Sequence, residues 1–380
     1  MAEIYQANDV VRPIDVFDIR DLKKEAGQVI PKGGFGYIVG GAGDGWTLRQ
    51  NTEAFNHKQL APRVLADLEK PDPSTSILGT DIRLPAIMAP VAAQGLAHVS
   101  AESGTARGVA QSGTIMAVST YAGQTIAEIT KAGDGAPQWF QLYPSKNEKF
   151  NRWVLDQAME SGMKAIILTG DATVGGNREA DIRNHFTFPL KMANLEKFGG
   201  GEGQSMSEIY AQGLQKIAPE TVEKVAKLTG LPVIVKGIQT PMDAMLAIGS
   251  GASAVYVSNH GGRQLDGGPA SFDVLQSIAE AVDGRVPVIF DSGIRRGQHI
   301  FKALASGADV VGIGRPAIYG LAVGGWQGVK SVFDFFYREL TMVMQLAGTK
   351  TVEEIKKTRL LDLPYGILPD LPLETEQVIR

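Results

Sequence analysis

The chain contains no cysteine. That single absence excludes disulfides, thiolate metal centres, iron–sulfur clusters and a thiol nucleophile. Positive charge is not in excess either: 37 Lys and Arg face 41 Asp and Glu, a formal net charge of −4. Nothing in that balance calls for a nucleic acid or an anionic membrane as partner. No apolar run approaches the roughly eighteen residues that a membrane-spanning helix needs. Residues 1–6 lack the charged and apolar regions of a secretion signal, so a cytoplasmic location is expected. Histidine is scarce, at five residues, and no His, Asp and Glu set has the spacing of a zinc site.

Glycine is plentiful, at 45 residues, and apolar residues make up 44% of the chain, enough for a large core. A length of 380 residues is long for one ordinary domain but suits an α/β barrel with extensions. Residues 1–85 read as a mixed N-terminal extension, with helices at 18–26 and 46–56 and loops at 31–37 and 40–45. The glycines at 41, 43 and 45 follow no convincing strand and are not read as a nucleotide loop.

From Leu84 the pattern changes. Short apolar runs recur at 86–92, 114–119, 138–143, 165–171, 232–237, 254–258, 286–291 and 309–314. Amphipathic segments separate them, at 100–111, 125–131, 148–160, 219–228, 242–248, 272–281 and 298–305. Gly113, Gly162, Gly230, Gly251 and Gly307 follow helical segments, as C-capping glycines do. Eight buried strands alternating with helices predict an α/β fold, a (β/α)8 TIM barrel over 86–320. A doubly wound open sheet is the alternative, although no glycine-rich fingerprint follows the first strand. About sixty residues separate the fourth and fifth strands, so a lid is expected at about 175–215. Residues 321–380 should hold a C-terminal helix, near 324–346, and a tail, the whole chain forming one domain.

Barrel active sites form at the C-terminal ends of the strands. Those ends carry Pro90, Val91 and Ala92, then Ser119, Gln141 with Tyr143, Thr169 with Asp171, and Lys236. Next come Ser258, His260 and Arg263, then Asp291, Ser292, Gly293 and Arg295, and finally Gly314 and Arg315. The last two strand ends each pair a glycine with an arginine, where barrels commonly hold phosphate. His260 stands between Asn259 and two glycines and is a candidate general base, with Asp171 either orienting it or capping a helix. Arg178 and Arg263 could clamp a carboxylate. Lys236 could form a Schiff base or present a fixed charge to a cofactor. Tyr37 and Tyr143 could donate to substrate or sit satisfied in the core.

Residues 258–266, Ser-Asn-His-Gly-Gly-Arg-Gln-Leu-Asp, resemble the signature of the FMN-dependent α-hydroxy-acid oxidases and dehydrogenases. The likeness runs nearly the whole chain, through 33–37, 88–90, 141–143, 236–237, 290–296 and 314–316. Within that family it is strongest to the bacterial lactate-oxidising branch, on 87–93, 176–178, 209–210 and 320–328. The resemblance implies bound FMN and oxidation of a small L-2-hydroxy acid, L-lactate to pyruvate, with O2 reduced to H2O2. A quinone or cytochrome acceptor, or glycolate or mandelate as substrate, is the alternative. The inosinate dehydrogenases share similar phosphate loops but need a cysteine nucleophile.

The resemblance also implies roles. His260, paired with Asp171, takes the substrate hydroxyl proton, and Tyr143 contacts that hydroxyl. Arg178 and Arg263 bind the carboxylate with help from Tyr37, and Tyr210 closes over the substrate. Lys236 faces the N1 and O2 edge of the flavin. Pro90, Val91, Ala92, Ser119, Gln141, Thr169 and Ser258 contact the ring or ribityl chain. Asp291, Ser292, Gly293, Arg295, Gly314 and Arg315 hold the ribityl and phosphate. A homotetramer is implied. Gly262 and Gly170 stand where that branch carries alanine, and Asp266 is expected to face away from the anionic substrate.

Overall fold

Eight short runs rich in Ile, Val, Ala and Met are buried on both faces, which is the condition for an all-parallel sheet. The computed structural model describes residues 5–362. In it these runs are β1 (Ala86–Met88), β2 (Met116–Ser119), β3 (Gln138–Leu142) and β4 (Ile166–Thr169), followed by β5 (Val233–Ile238), β6 (Ala254–Val257), β7 (Val288–Phe290) and β8 (Val310–Ile313). They pair in chain order and close into a barrel, β8 meeting β1 through Ile313 opposite Met88. The open-sheet alternative is thereby excluded.

Helices cover the barrel: α4 (Ala101–Gln111), α5 (Ile126–Ala132), α6 (Glu148–Glu160), α10 (Pro219–Thr229), α11 (Pro241–Gly249), α12 (Ser271–Val282) and α13 (Gly297–Ala305). Gly230 closes α10 at φ +66, and Gly113, Gly162, Gly251 and Gly307 follow their helices with φ between +69 and +102. Between β4 and β5 lie three short helices, α7 (Glu179–Arg183), α8 (Ala193–Glu196) and α9 (Met206–Ala211).

The barrel is a filled cylinder. Ile87, Ala117, Trp139, Ile167, Ile234, Tyr256 and Ile289 meet inside it. An antiparallel hairpin from the N-terminal extension, Thr75–Ile77 with Thr80–Ile82, contributes Ile77 and Ile82 to the same cluster. Ligand chemistry is left to the opposite end.

Three expectations need correction. The stretch 31–37 reads as a loop in the sequence but forms α2 (Lys32–Val39), after α1 (Ile19–Val29) and before α3 (Trp46–Glu53). Glycine's low helix propensity is overridden there by tertiary packing. Gly34 is in van der Waals overlap range of the Tyr5 ring for any added methyl, and Gly33 lies under Phe186. The apolar runs also outlast the ladder: β1 stops at Met88, Ala89 N still donates to Ile313 O at 3.0 Å, and residues 90–92 line a cavity. The terminal helix begins earlier than 324, as α14 (Arg315–Ala347), broken at Gly324 and Gly325 where the backbone leaves helical angles. A last short helix, α15 (Val352–Lys356), precedes the tail; 363–380 lie outside the described residues.

At the α14 break the two arms fold together so closely that a methyl on Gly328 would overlap the Gly320 carbonyl. Gly249, in α11, has open space around it. Gly328→Ala should therefore lower the thermal unfolding midpoint, with a cost of about 1–3 kcal/mol from overpacking. Gly249→Ala should leave the midpoint unchanged or raise it. Equal midpoints for the two variants, measured by scanning calorimetry, would contradict this packing.

Candidate active site

The loop after β6 is built around three consecutive left-handed residues, His260 (φ +60), Gly261 (φ +66) and Gly262 (φ +72). Glycine adopts this region freely, whereas His260 needs external support. Support comes from α3: Asn51 and Asn259 exchange amide hydrogen bonds of 2.9 and 2.6 Å. Asn259 Oδ1 also accepts from Gly262 N at 3.1 Å. The His260 N–H donates to Ser258 Oγ at 3.1 Å. Held this way, His260 Nδ1 lies 3.0 Å from Asp171 Oδ1 and Nε2 lies 3.1 Å from the Tyr143 hydroxyl. A carboxylate only accepts, so Nδ1 carries the proton and Nε2 presents its lone pair. Burial pushes the His260 pKa down, and Lys236 and Arg178 add to this, while Asp171 only partly offsets it. For Asp171, burial alone would raise the carboxyl, but His260 and Lys236 outweigh it and hold it low. The pair is a neutral imidazole beside a carboxylate.

Two arginines stand over this pair. Arg178, 5% exposed, donates from Nη2 to the Tyr210 hydroxyl at 3.3 Å, and its Nη1 is buried with no hydrogen-bond partner among the described residues. Arg263 donates from Nη1 to the carbonyls of Tyr37 and Gly40 at 2.7 and 2.9 Å. Its guanidinium lies 4.7 Å from the centre of the Tyr37 ring. The Tyr37 hydroxyl, in turn, donates to Met206 of α9 at 3.8 Å.

Below them the strand register sets a polar floor. Ser119 lies opposite Gln141, and Thr169 opposite Lys236. Ser119 Oγ donates to Gln141 Oε1 at 3.1 Å, and Gln141 Nε2 to Thr169 Oγ1 at 2.9 Å. Lys236, 4% exposed, donates to Ser258 Oγ at 2.9 Å and lies 3.7 Å from Asp291 Oδ2. With a carboxylate this near, the fixed-charge role for Lys236 fits better than a neutral amine. Ser292, at φ +85, donates to Asp291 Oδ1 at 2.9 Å.

At the ends of β7 and β8 stand Arg295 and Arg315. Arg315 spends its donors on the carbonyls of Ile38, Gly261 and Gly40, at 2.9, 3.0 and 2.9 Å. Arg295 Nη1 donates to its neighbour's carbonyl, Ile294 O, at 2.8 Å. Burial, with Arg263, Arg295 and Arg178 nearby, lowers the Arg315 pKa to about 9. Burial likewise lowers Arg295. Among the described residues neither forms a salt bridge. Buried cations without counter-charges are costly, so this end of the cavity is built for an anion with several oxygens.

One cavity connects all of this, with about 1010 Å³ of free space including its mouth. Pro90, Val91, Ala92, Ser119, Thr169, Lys236, Gly293 and Gly314 line it, as do Tyr37, Tyr143, Arg178, Tyr210, His260 and Arg263. A flat wall at 90–92, a buried ammonium and a dicationic end fit a flavin mononucleotide: ring, N1 edge and phosphate. Gln141, Ser258 and Asp171 hold the lining side chains Ser119, Lys236 and His260 through the hydrogen bonds described above. Asp266 does face away: it accepts from Thr47 N at 2.8 Å and caps α3. Sequence reasoning gave no role to several lining residues, among them Tyr121, Met206 and Ile38. Tyr121 stacks on Tyr143 with ring centres 4.7 Å apart. Its place two residues beyond Ser119 was the available signal; Met206, inside the lid, offered none.

Comparison with known proteins agrees with this geometry. Residues 26–362 match the family model described as FMN-dependent dehydrogenase. The L-lactate oxidase of Lentilactobacillus hilgardii is 57% identical over 363 residues, covering 95% of this chain and 98% of that protein. The L-lactate oxidase of Streptococcus iniae is 50% identical, covering 93% of this chain and 87% of that protein. A solved structure from Pediococcus acidilactici, described as a lactate oxidase, superposes with a TM-score of 0.91 at 57% identity, covering 95% of this chain and 99% of that one. A buried cationic cavity at the mouth of a barrel and a match over most of the length lead to one conclusion: the chain belongs to the FMN-dependent dehydrogenase family.

Proposed function

We propose that the protein is an FMN-dependent oxidase of small L-2-hydroxy acids, converting L-lactate to pyruvate with O2 reduced to H2O2, as a cytoplasmic homotetramer of one-domain chains. The observation that carries this reading is the convergence on one cavity of a neutral His260 imidazole, held by the Asp171 carboxylate, and a buried Arg178 Nη1 without a partner among the described residues. The L-lactate oxidases of similar sequence support the choice of substrate.

FMN, when bound, supplies a two-electron acceptor that O2 can reoxidise. Arg295, Arg315, Gly293 and Gly314 would hold its phosphate, Asp291 and Ser292 its ribityl chain, and residues 90–92 with Ser119 and Thr169 its ring. Gln141 and Ser258 would keep those contacts in register. Lys236 sets a preorganised positive charge at the ring edge, where negative charge grows during reduction.

Arg178 and Arg263 bind the substrate carboxylate, each already oriented by a tyrosine. That anchoring turns the α-carbon toward the flavin wall and the hydroxyl toward His260. Nε2 of His260 takes the hydroxyl proton, and Asp171 stabilises the imidazolium that results. Tyr143, bonded to the same nitrogen, keeps a hydroxyl at the spot where the substrate oxygen develops charge. Tyr121, Met206 and Tyr210 roof the cavity and leave space for a short side chain. Tyr210 on α9 moves with the lid and closes over bound substrate.

Oxygen uptake with L-lactate, glycolate, 2-hydroxybutyrate and mandelate tests the reading, with L-lactate expected to give the highest kcat/KM and one H2O2 per O2. Fast flavin reduction followed by slow reaction with O2 would instead favour a quinone or cytochrome acceptor. His260→Ala should keep its flavin while kcat falls by about 10⁴-fold or more, the scale for losing an essential base. Near-normal turnover in that variant would remove His260 from the mechanism. The base must be neutral to accept a proton, so activity falls as pH drops through its pKa. Because burial lowers that pKa, the acid limb of kcat/KM should lie below the ordinary imidazole value of about 6.5. A limb centred above neutrality would contradict this environment.

A further inference from the structure

The signature loop contains one polar side chain to which the chemistry above gives no work. Gln264, half-buried, follows Arg263 and spans the gap to the loop after β4. Its Nε2 donates to the carbonyl of Asp171 at 2.9 Å and to the carbonyl of Val174 at 3.0 Å. Its Oε1 accepts from Gly176 N at 3.2 Å and from Arg178 Nη2 at 3.5 Å. All four partners lie on the segment that carries Asp171 and Arg178. The approach is tight: a methyl on Gly176 would overlap the Arg263 carbonyl and lie 2.7 Å from Gln264 Cα. Arg178 Nε adds a fifth link, to the Arg263 carbonyl at 3.4 Å.

We infer that Gln264 is a positioning residue that aims Arg178 at the substrate carboxylate by stapling the β6 loop to the β4 loop. The inference rests on the proposed function. Arg178 Nη2 has two acceptors, the Tyr210 hydroxyl and Gln264 Oε1. Together they fix the guanidinium plane and leave Nη1 as the donor without a partner among the described residues, on a side chain that lines the cavity. Tyr210 belongs to the lid helix α9, whereas Gln264 belongs to the loop of the base. Arg178 is therefore held on its fixed side by Gln264. A neutral amide suits this place for two reasons. It supplies donors to two carbonyls and an acceptor to an N–H at once, and it does so without neutralising Arg178.

Two variants of similar size separate these reasons. In Gln264→Glu the acceptor survives, but the two carbonyls lose their donor and a negative charge is set beside Arg178. In Gln264→Met every hydrogen bond goes, but no charge is added beside Arg178. Pyruvate, the reaction product, binds without turnover, and its dissociation constant is read from the change in flavin absorbance. Gln264→Glu should weaken pyruvate by about 10-fold or more, because two carbonyls lose their donor and the new carboxylate also offsets the charge of Arg178. Gln264→Met should weaken it less, with KM for L-lactate following the same order and flavin content equal to that of the parent. A residue serving only to keep the loop folded would give the same loss in both variants, or would release flavin. Either result, or unchanged pyruvate binding in both variants, overturns the inference while leaving the functional reading intact. A parent protein that binds no pyruvate and oxidises no L-lactate overturns the functional reading, and this inference with it.

Discussion

Uncompensated positive charge, buried at the open end of the barrel, is the constraint around which this structure is arranged. Arg178, Arg263, Arg295 and Arg315 crowd one cavity, where burial first and the neighbouring guanidinium groups second lower the pKa values of Arg263 and Arg315. Like charges stay together in a low-dielectric site only if dipoles hold them and an anion completes them. Backbone carbonyls supply the dipoles. Gly40 O accepts from both Arg263 and Arg315, at 2.9 Å each. One carbonyl thus links the group proposed for the substrate carboxylate to the group proposed for the phosphate. Carbonyls stabilise a cation without cancelling its charge, so the attraction for anionic ligands survives.

This explains what the N-terminal extension contributes. Tyr37, Ile38 and Gly40 provide the carbonyls, Asn51 braces the base loop, and the hairpin of residues 75–82 fills the barrel's far end. Each contact joins segments more than two hundred residues apart in sequence, apart from the hairpin's own pairing. The barrel provides a rigid ring of strand ends, and the extension converts that ring into a site. Helix α2 has to come close to do so, and its glycines at 33 and 34 leave the space for Phe186 and Tyr5.

The barrel was legible because its signal is local and repeated: eight apolar runs, each followed by a helical period and several by a glycine in the left-handed region. The strand-end residues were legible for the same reason, since a polar side chain closing a buried run is costly unless a ligand or a partner satisfies it. What stayed hidden was everything set by distant partners. The α2 helix looks like a loop by propensity, and its stability comes from residues far along the chain. The reciprocal Asn51–Asn259 amide pair spans 208 positions and has no local sign. The resemblance implies cofactor contact for Gln141 and Ser258, and what the sequence does not show is how neighbouring strands tie them to Ser119, Thr169 and Lys236.

The two glycines at 170 and 262, beside Asp171 and His260, are unequal for the same reason. At Gly170 a methyl would meet only Lys236 O, at 3.5 Å, an ordinary contact. Alanine fits there, and glycine is a matter of indifference to packing. At Gly262 a methyl would lie 2.6 Å from both Cα and N of Leu48, on a backbone at φ +72. Backbone atoms cannot swing aside as a side-chain tip can, so alanine at 262 requires α3 itself to withdraw. Withdrawal of α3 would stretch the amide pair between Asn51 and Asn259, and with it the support for His260 in its left-handed conformation. Glycine at 262 therefore goes with a closely docked α3, and the geometry of the base is set by a helix that precedes the barrel.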